Sequence, residues 1–361
     1  MNRNGSPTAI DLFSGAGGLT LGLQLAQFRV LGAVEISSVA ADTYSLNFPD
    51  VHLWNMDIRE LPVAQVLRET GLKPGQLDLL AGCPPCQGFS SMRTLNGHQA
   101  VTDDRNDLVL QFRRFVRGLR PKAVMLENVP ALIKDRRLTS LVTSLEKMGY
   151  TVTTAVLDAS QFGVPQRRRR MILLAGRVGP LRLADKDARR ITVRDAIGTI
   201  GPPGGSGDPL HDLPENRQPR IARLISRIPR DGGSRRDLGE HEQLDCHRRC
   251  NGFKDVYGRM AWEEVAPTIT TGCVNPSKGR FLHPQEDRAI TLREAALLQG
   301  FPLDFKFDLR RGKYAVAEMI GNALPPEFIR RHAVEIHKSI VQEEDRMHVR
   351  ADTSSADERN L

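Results

Sequence analysis

The sequence predicts a doubly wound α/β fold: a mostly parallel, Rossmann-like sheet with an inserted small lobe that is mostly irregular or β. Three observations lead there. Short apolar runs alternate with amphipathic helical stretches through the first half of the chain. A glycine-rich turn, Ser14-Gly15-Ala16-Gly17-Gly18, directly follows the first apolar run, as at the mouth of a nucleotide-binding sheet. The alternation then breaks near residue 185 and gives way to GPPGGSGDPL at 201–210, a loop by composition.

In chain order, Ala9–Phe13 reads as a strand and Leu19–Gln27 as the helix after it. Val30–Ile36 is a second strand, and Val39–Asn47 a helix. Leu77–Ala81 is a central strand that runs into a cysteine-bearing turn. Over Asp107–Leu119, the residues Leu108, Val109, Phe112, Phe115, Val116 and Leu119 have helical spacing, and Pro121 stops the helix. Ala123–Leu126 is a buried strand ending at Glu127, Leu138–Met148 an amphipathic helix stopped by Gly149, and Tyr150–Leu157 and Met171–Ala175 two more strands. Beyond 185 the chain is irregular and basic, with a short strand candidate at Ala266–Thr271. Helical patterning returns at Thr291–Gln299, where Thr291 and Glu294 have capping-box spacing, and again at about Pro326–Gln342. The expected organisation is a catalytic and cofactor-binding part at 1–185, a small recognition domain at 186–300, a return to the first domain at 301–345 and a disordered tail at 346–361.

At 361 residues, 40% of them hydrophobic, the chain can bury a proper core in two lobes. No apolar run approaches the roughly 18 residues of a membrane span. The start, MNRNGSPTAI, lacks the apolar core of a signal peptide, and the five cysteines at 83, 86, 246, 250 and 273 are an odd count. Both point to reduced thiols in the cytoplasm. The net charge of +8 is unevenly spread: residues 217–236 carry seven arginines and one acid, Asp231, and Arg167–Arg170 form another cluster. Concentrated arginine favours a polyanion such as DNA or RNA, although a charge run can also be only a solvated face.

Residue types then mark out a site. Gly15 and Gly17 let the backbone approach a ligand, and the helix that follows offers free N–H groups. Glu35 ends the second strand, where a carboxylate can bind ribose hydroxyls, and Asp57 follows another turn, where one can accept from an adenine amino group. The glycine turn departs from the dinucleotide pattern GxGxxG, which favours a mononucleoside cofactor such as S-adenosylmethionine over NAD. Cys83-Pro-Pro-Cys86 is open to three readings: a redox pair, half of a zinc site, or a nucleophile with a bystander. Zinc is the weakest, because the other candidate ligands, His241, Cys246, His247 and Cys250, lie about 160 residues away. Glu127, at the end of an apolar strand, can act as a proton donor with a raised pKa or simply cap a helix.

Taken in order, DLFSGAGGL (11–19), GCPPCQGFS (82–90), ENV (127–129), QFGVPQRRRR (161–170), ITLREAALLQGFP (290–302) and GNALPP (321–326) resemble the motifs of the DNA cytosine-C5 methyltransferases. The resemblance spans about 11–340 and implies the S-adenosylmethionine-dependent methyltransferase version of the fold. It implies Cys86, not Cys83, as nucleophile, because the family element is Pro85-Cys86-Gln87. In the implied reaction Cys86 adds to cytosine C6, Glu127 donates a proton to N3, and C5 takes the methyl group of S-adenosylmethionine. Arg168 would contact the base carbonyl or a phosphate, and Arg170 would help hold the catalytic turn.

The cofactor residues implied are Phe13, Gly15 and Gly17 at the methionine end, Glu35 at ribose, Asp57 and Ile58 at adenine, and Pro85 and Asn322. Ile36 departs from the pattern, since many relatives stack an aromatic on adenine there. Ser90–Arg105 resembles the family's mobile catalytic loop, and Gln87 and Ser90 are placed on its DNA side. The target atom is hidden in a duplex, so the cytosine must be flipped out.

RLISRIPRDGG (223–233) and YGRMAWEEVAPTITTGC (257–273) also look like pieces of the family's small domain, which leaves 203–220 and 237–255 as reading loops. Arg217, Arg220 and Arg223 are the expected phosphate contacts. The implied partner is double-stranded DNA, either in a restriction–modification system with an endonuclease as genetic companion or as the substrate of an orphan methylase; a monomer without metal is expected. A tRNA methyltransferase of the same fold fits less well, because no Cys-Phe-Thr element is present. A catalytically dead DNA-binding module is disfavoured by the presence of Cys86, Gln87, Glu127, Arg168 and Arg170. A thiol oxidoreductase would leave ENV and GNALPP without a role.

Overall fold

The computed structural model describes residues 5–85, 108–239 and 255–357, with side chains to residue 343. Cys86, Gln87, Ser90, the rest of the expected loop to Arg105 and most of the 237–255 reading loop lie outside the described residues.

Seven strands form one sheet: β1 (Thr8–Leu12), β2 (Arg29–Val34), β3 (His52–Trp54), β4 (Leu79–Gly82), β5 (Ala123–Asn128), β6 (Thr151–Asp158) and β7 (Arg169–Gly176). Their order is β3-β2-β1-β4-β5-β7-β6. Strands β1 to β5 run parallel, and β7 is antiparallel to both β5 and β6. The chain winds outward from β1 to β3, then crosses back to β4. The crevice between β1 and β4 is therefore the switch point at which such sheets bind ligands.

Alternation along each strand builds two cores. Ala9, Ala33, Leu79, Ala81, Met125 and Leu174 face one side of the sheet, and Ile10, Leu12, Val34, Leu80, Val124 and Leu173 the other. The helices are α1 (Gly18–Leu25), α2 (Ser38–Asn47), α3 (Val63–Thr70), α4 (Leu108–Leu119), α5 (Arg136–Lys147), α6 (Val193–Ile197), α7 (Pro219–Arg227), α8 (Leu292–Gln299), α9 (Lys313–Asn322) and α10 (Pro326–Asp357). Leu19 and Leu23 of α1 with Phe328, Ile329 and Ile336 of α10 fill the first core. Phe112 and Phe115 of α4 with Leu141 and Leu145 of α5 fill the second. Each such fully buried side chain contributes roughly 1.5–3 kcal/mol.

Register at the N-terminal edge is pinned by one buried carboxylate. Asp78 Oδ2 accepts from Thr8 N at 2.7 Å and Thr8 Oγ1 at 2.8 Å, and Asp78 Oδ1 lies 2.8 Å from Lys122 Nζ. This ties the starts of β1, β4 and β5 together, and so sets which residues emerge side by side at the opposite rim. Thr291 and Glu294 do form the expected capping box at the start of α8.

Two expectations give way. Ala266–Thr271 is no strand: it makes a single bridge, Gln166 with Ala266. Side chains satisfy this segment instead, with Thr268 Oγ1 donating to Arg167 O at 2.6 Å and Gln166 Oε1 accepting from Ile269 N at 2.9 Å. The described part of the inserted lobe holds isolated bridges and α7 around Ile225, Ile228 and Leu282. At its centre is the fully buried Arg259, whose guanidinium donates to the carbonyls of Ile225, Ile228, His283 and Glu286 and pairs with Asp287. The last helix runs on to Asp357 rather than ending near Gln342, so residues 346–357, read as disordered, are helical in backbone. No glycine or proline interrupts 341–357, so nothing in the chain chemistry stops it.

Candidate active site

The C-terminal rim of the parallel strands gathers the predicted residues. Backbone bonds extend the strands past their ends: Ser14 N donates to Val34 O at 3.0 Å, Glu35 N to Trp54 O at 3.2 Å, and Cys83 N to Leu12 O at 3.2 Å. The glycine turn closes onto Glu35, whose Oε2 accepts from Gly15 N and Oε1 from Ser37 N, each at 2.8 Å. Burial raises the Glu35 carboxyl above its ordinary range, and these N–H donors oppose it. Gly15 has φ +55, and a Cβ there would meet nothing within 4 Å, so the turn is open on the ligand side. Gly17 is different: a Cβ would sit 2.2 Å from the Phe48 ring, so this glycine is needed for packing. Phe13 takes a positive φ of 65° as the chain leaves β1.

Of the other cofactor candidates, Ile36 is 67% exposed beside Glu35. Asp57 is held by its neighbour, accepting from Arg59 N at 2.9 Å and pairing with Arg59 Nη1 at 3.1 Å. The Ile58 side chain is buried in the second core, so only its backbone can serve a ligand. Pro85 is half-buried just past β4, and Asn322 is exposed as the last residue of α9.

Glu127 is buried at the same rim. Its Oε1 lies 3.0 Å from Arg170 Nε, and its Oε2 accepts from Cys83 Sγ at 3.0 Å. Burial pushes its pKa up; Arg170, then Cys83, then Arg168 pull it down. The next residue, Asn128, donates from Nδ2 to Pro84 O at 2.9 Å, which anchors the turn that leads into Cys86.

The two arginines of the Gln166-x-Arg168-x-Arg170 pattern separate. Arg170 reaches Glu127, so it holds the acid itself. The expected base contact for Arg168 needs correction: its side chain is 3% exposed, and its guanidinium donates to the carbonyls of Ile269 (3.1 Å), Gly321 (3.0 Å) and Ala323 (3.2 Å). Arg217 is likewise turned inward, paired with Glu215 and reaching Val274 O, whereas Arg220 and Arg223 are exposed on α7.

Sequence reasoning overlooked Asp11. It is fully buried beneath the glycine turn, with Oδ2 accepting from Thr20 Oγ1 at 2.7 Å, and Thr20 in turn bonds Tyr44 Oη at 2.9 Å. Asp11 Oδ1 has no hydrogen-bond partner among the described residues. Burial, with the charge of Glu35 nearby, pushes Asp11 up to about 8. A carboxyl two residues before Phe13, inside the otherwise apolar run Ala9–Phe13, was the available signal. Among the described residues no cluster of three or more His, Cys, Asp or Glu side chains could hold a metal ion.

A family model described as C-5 cytosine-specific DNA methylase matches residues 8–338. Type II methylase M.HgiDII of Herpetosiphon aurantiacus is 36% identical over 88% of this chain and 91% of its own length. Type II methyltransferase M1.HphI of Haemophilus parahaemolyticus is 34% identical over 89% and 84%. Among solved structures, the Schizosaccharomyces pombe Dnmt2 methyltransferase ("S. pombe Dnmt2") shares the fold, with TM-score 0.59, 18% identity, and 92% of this chain and 99% of that one covered.

Asp11 yields a pH test. Its folded pKa is raised, so the protonated carboxyl stabilises the fold fully below about 4 and the benefit is lost as pH rises to about 8. Asp11→Asn is expected to flatten the fall in stability between those limits. Urea melts across pH 4 to 9 would show it; an unchanged pH dependence would place the titration elsewhere.

Proposed function

This chain belongs to the C-5 cytosine-specific DNA methylase family and is a DNA methyltransferase, and from that premise we propose its reaction: transfer of a methyl group from S-adenosylmethionine to C5 of a cytosine flipped out of a specific duplex sequence. The observation that carries the proposal is one rim: Glu127 clamped by Arg170, the Pro84-Pro85 turn leading into Cys86 tied to Asn128, and the Gly15–Glu35 cradle beside them. The cradle suits the cofactor chemically, with a carboxylate for ribose, an open glycine backbone and the exposed Ile36.

Cytosine C5 is too weak a nucleophile to take a methyl group unaided. The Cys86 thiolate adds to C6, and Glu127 gives its proton to N3, so that the ring becomes an enamine with electron density at C5. When bound, S-adenosylmethionine supplies an electrophilic methyl group to that carbon. Removal of the C5 proton, departure of Cys86 and return of the N3 proton to Glu127 then restore the aromatic ring. Burial keeps Glu127 protonated further up the pH scale than an ordinary glutamate, as a donor requires. Arg170 fixes where that proton is presented. Exposed Arg220 and Arg223 on α7 supply phosphate contacts. The relatives named as type II enzymes favour a restriction–modification setting with a cognate endonuclease. This reading takes the enzyme to act on DNA in the cytoplasm as a monomer. No described helix is long and apolar enough to cross a membrane.

Cys86→Ser is expected to abolish covalent trapping on DNA carrying 5-fluorocytosine while cofactor binding persists. Glu127→Gln should cut kcat by about 10²–10⁴ with DNA binding retained. An adduct that survives Cys86→Ser, or a near-parental rate for Glu127→Gln, would overturn the assignments.

The arginines separate by placement. Replacing Arg220 and Arg223 with Gln should weaken binding at every sequence and lower the log–log salt slope by roughly 0.9 per lost phosphate contact. Arg217→Gln should instead lower stability, since Arg217 is paired with Glu215. A salt series of DNA-binding curves with thermal melts checks both; an unchanged slope in the Arg220/Arg223 variant would contradict the phosphate role.

A further inference from the structure

Sheet register sets a second cysteine against the catalytic carboxyl. Gly82 of β4 lies opposite Leu126 of β5, so the next residues, Cys83 just past β4 and Glu127 still within β5, stand side by side at the rim. Cys83 Sγ stands 3.0 Å from Glu127 Oε2, while Arg170 Nε stands 3.0 Å from Oε1. The cysteine is not free to drift. Its backbone N–H is bonded to Leu12 O at 3.2 Å, and the carbonyl of the following Pro84 accepts from Asn128 Nδ2 at 2.9 Å.

We infer that Cys83 is a positioning residue for methyl transfer: its thiol holds one oxygen of Glu127 while Arg170 holds the other, so that the carboxyl keeps one rotamer facing the base. The inference rests on Glu127 being the proton donor. A thiol is a weak donor, so the effect is a matter of alignment rather than large stabilisation. It is also directional. A donor to Oε2 favours the ionised carboxyl, so removing it raises the proton affinity of Glu127 further.

The test uses the full-length enzyme with duplex DNA and S-adenosylmethionine. Cys83→Ala is expected to lower kcat on the order of 3- to 10-fold, the effect of one modest hydrogen bond, with the DNA KM unchanged. The alkaline limb of its pH–rate profile should move to higher pH. Cys83→Ser keeps a donor and should restore both the rate and the limb. In a Glu127→Gln background, Cys83→Ala should cost nothing more, because the group it positions is gone. Cys83→Val is a second variant without a donor, close in size, should the alanine variant fail to fold.

Parental kcat and pH limb in the donor-less variants, with Glu127→Gln inactive, would overturn the inference and leave Glu127 as the acid. Equal losses in the serine and alanine variants, or the same loss in the Glu127→Gln background, would reduce Cys83 to packing and also overturn it. A near-parental rate for Glu127→Gln alone would overturn the role of Glu127, and the inference with it.

Discussion

The arrangement of the site depends on one buried guanidinium. Arg168 donates to carbonyls at Ile269, Gly321 and Ala323, and so draws the inserted lobe and the C-terminal return onto the start of β7. Gln166 strengthens the same junction by accepting from Ile269 N and bonding Gln299. The approach is tight: a Cβ on Gly321 would lie 2.3 Å from the Thr270 carbonyl carbon. Only the planar fork of arginine reaches several acceptors at once, and a lysine would leave some of them bare. Each buried carbonyl left without a donor costs roughly 1–3 kcal/mol. Two residues further on, Arg170 meets Glu127, so the junction that joins the lobes also sets the position of the acid's partner.

The rim chemistry follows from strand register. Asp78 fixes the starts of β1, β4 and β5 at one edge, and the parallel ladder carries that alignment to the other. Phe13, Glu35, Cys83 and Glu127 therefore emerge as neighbours although they are far apart in the chain. Burial raises the carboxyls of Asp11, Glu35 and Glu127 at this rim, and the outcomes differ with their partners. Glu35 is opposed by two backbone donors and Glu127 by Arg170 and Cys83, whereas Asp11 Oδ1 has no partner among the described residues.

Much of the fold was legible in the sequence because its signals are local. Apolar runs marked six of the seven strands, Gly149 and Pro121 marked stops, and the Thr291–Glu294 box marked α8. β3 escaped because His52-Leu53-Trp54 is too short to show a pattern. Glu127 and Glu35 could be found because each carboxylate closes an apolar run. The direction of Arg168 could not, since neighbouring arginines look alike until the junction with Ile269 and Gly321 exists. The contact between Cys83 and Glu127 needs the register of two strands, and the role of Arg259 needs a lobe already folded around it. Cys86, outside the described residues, rests on the Pro85-Cys86-Gln87 element of the sequence.

The most direct measurement is bisulfite sequencing of DNA from cells expressing the full chain. The account predicts 5-methylcytosine at one recurrent duplex sequence, present with the parent and absent with Cys86→Ser. Unmodified cytosines in DNA from the parent, or protected cytosines that persist with Cys86→Ser, would contradict it.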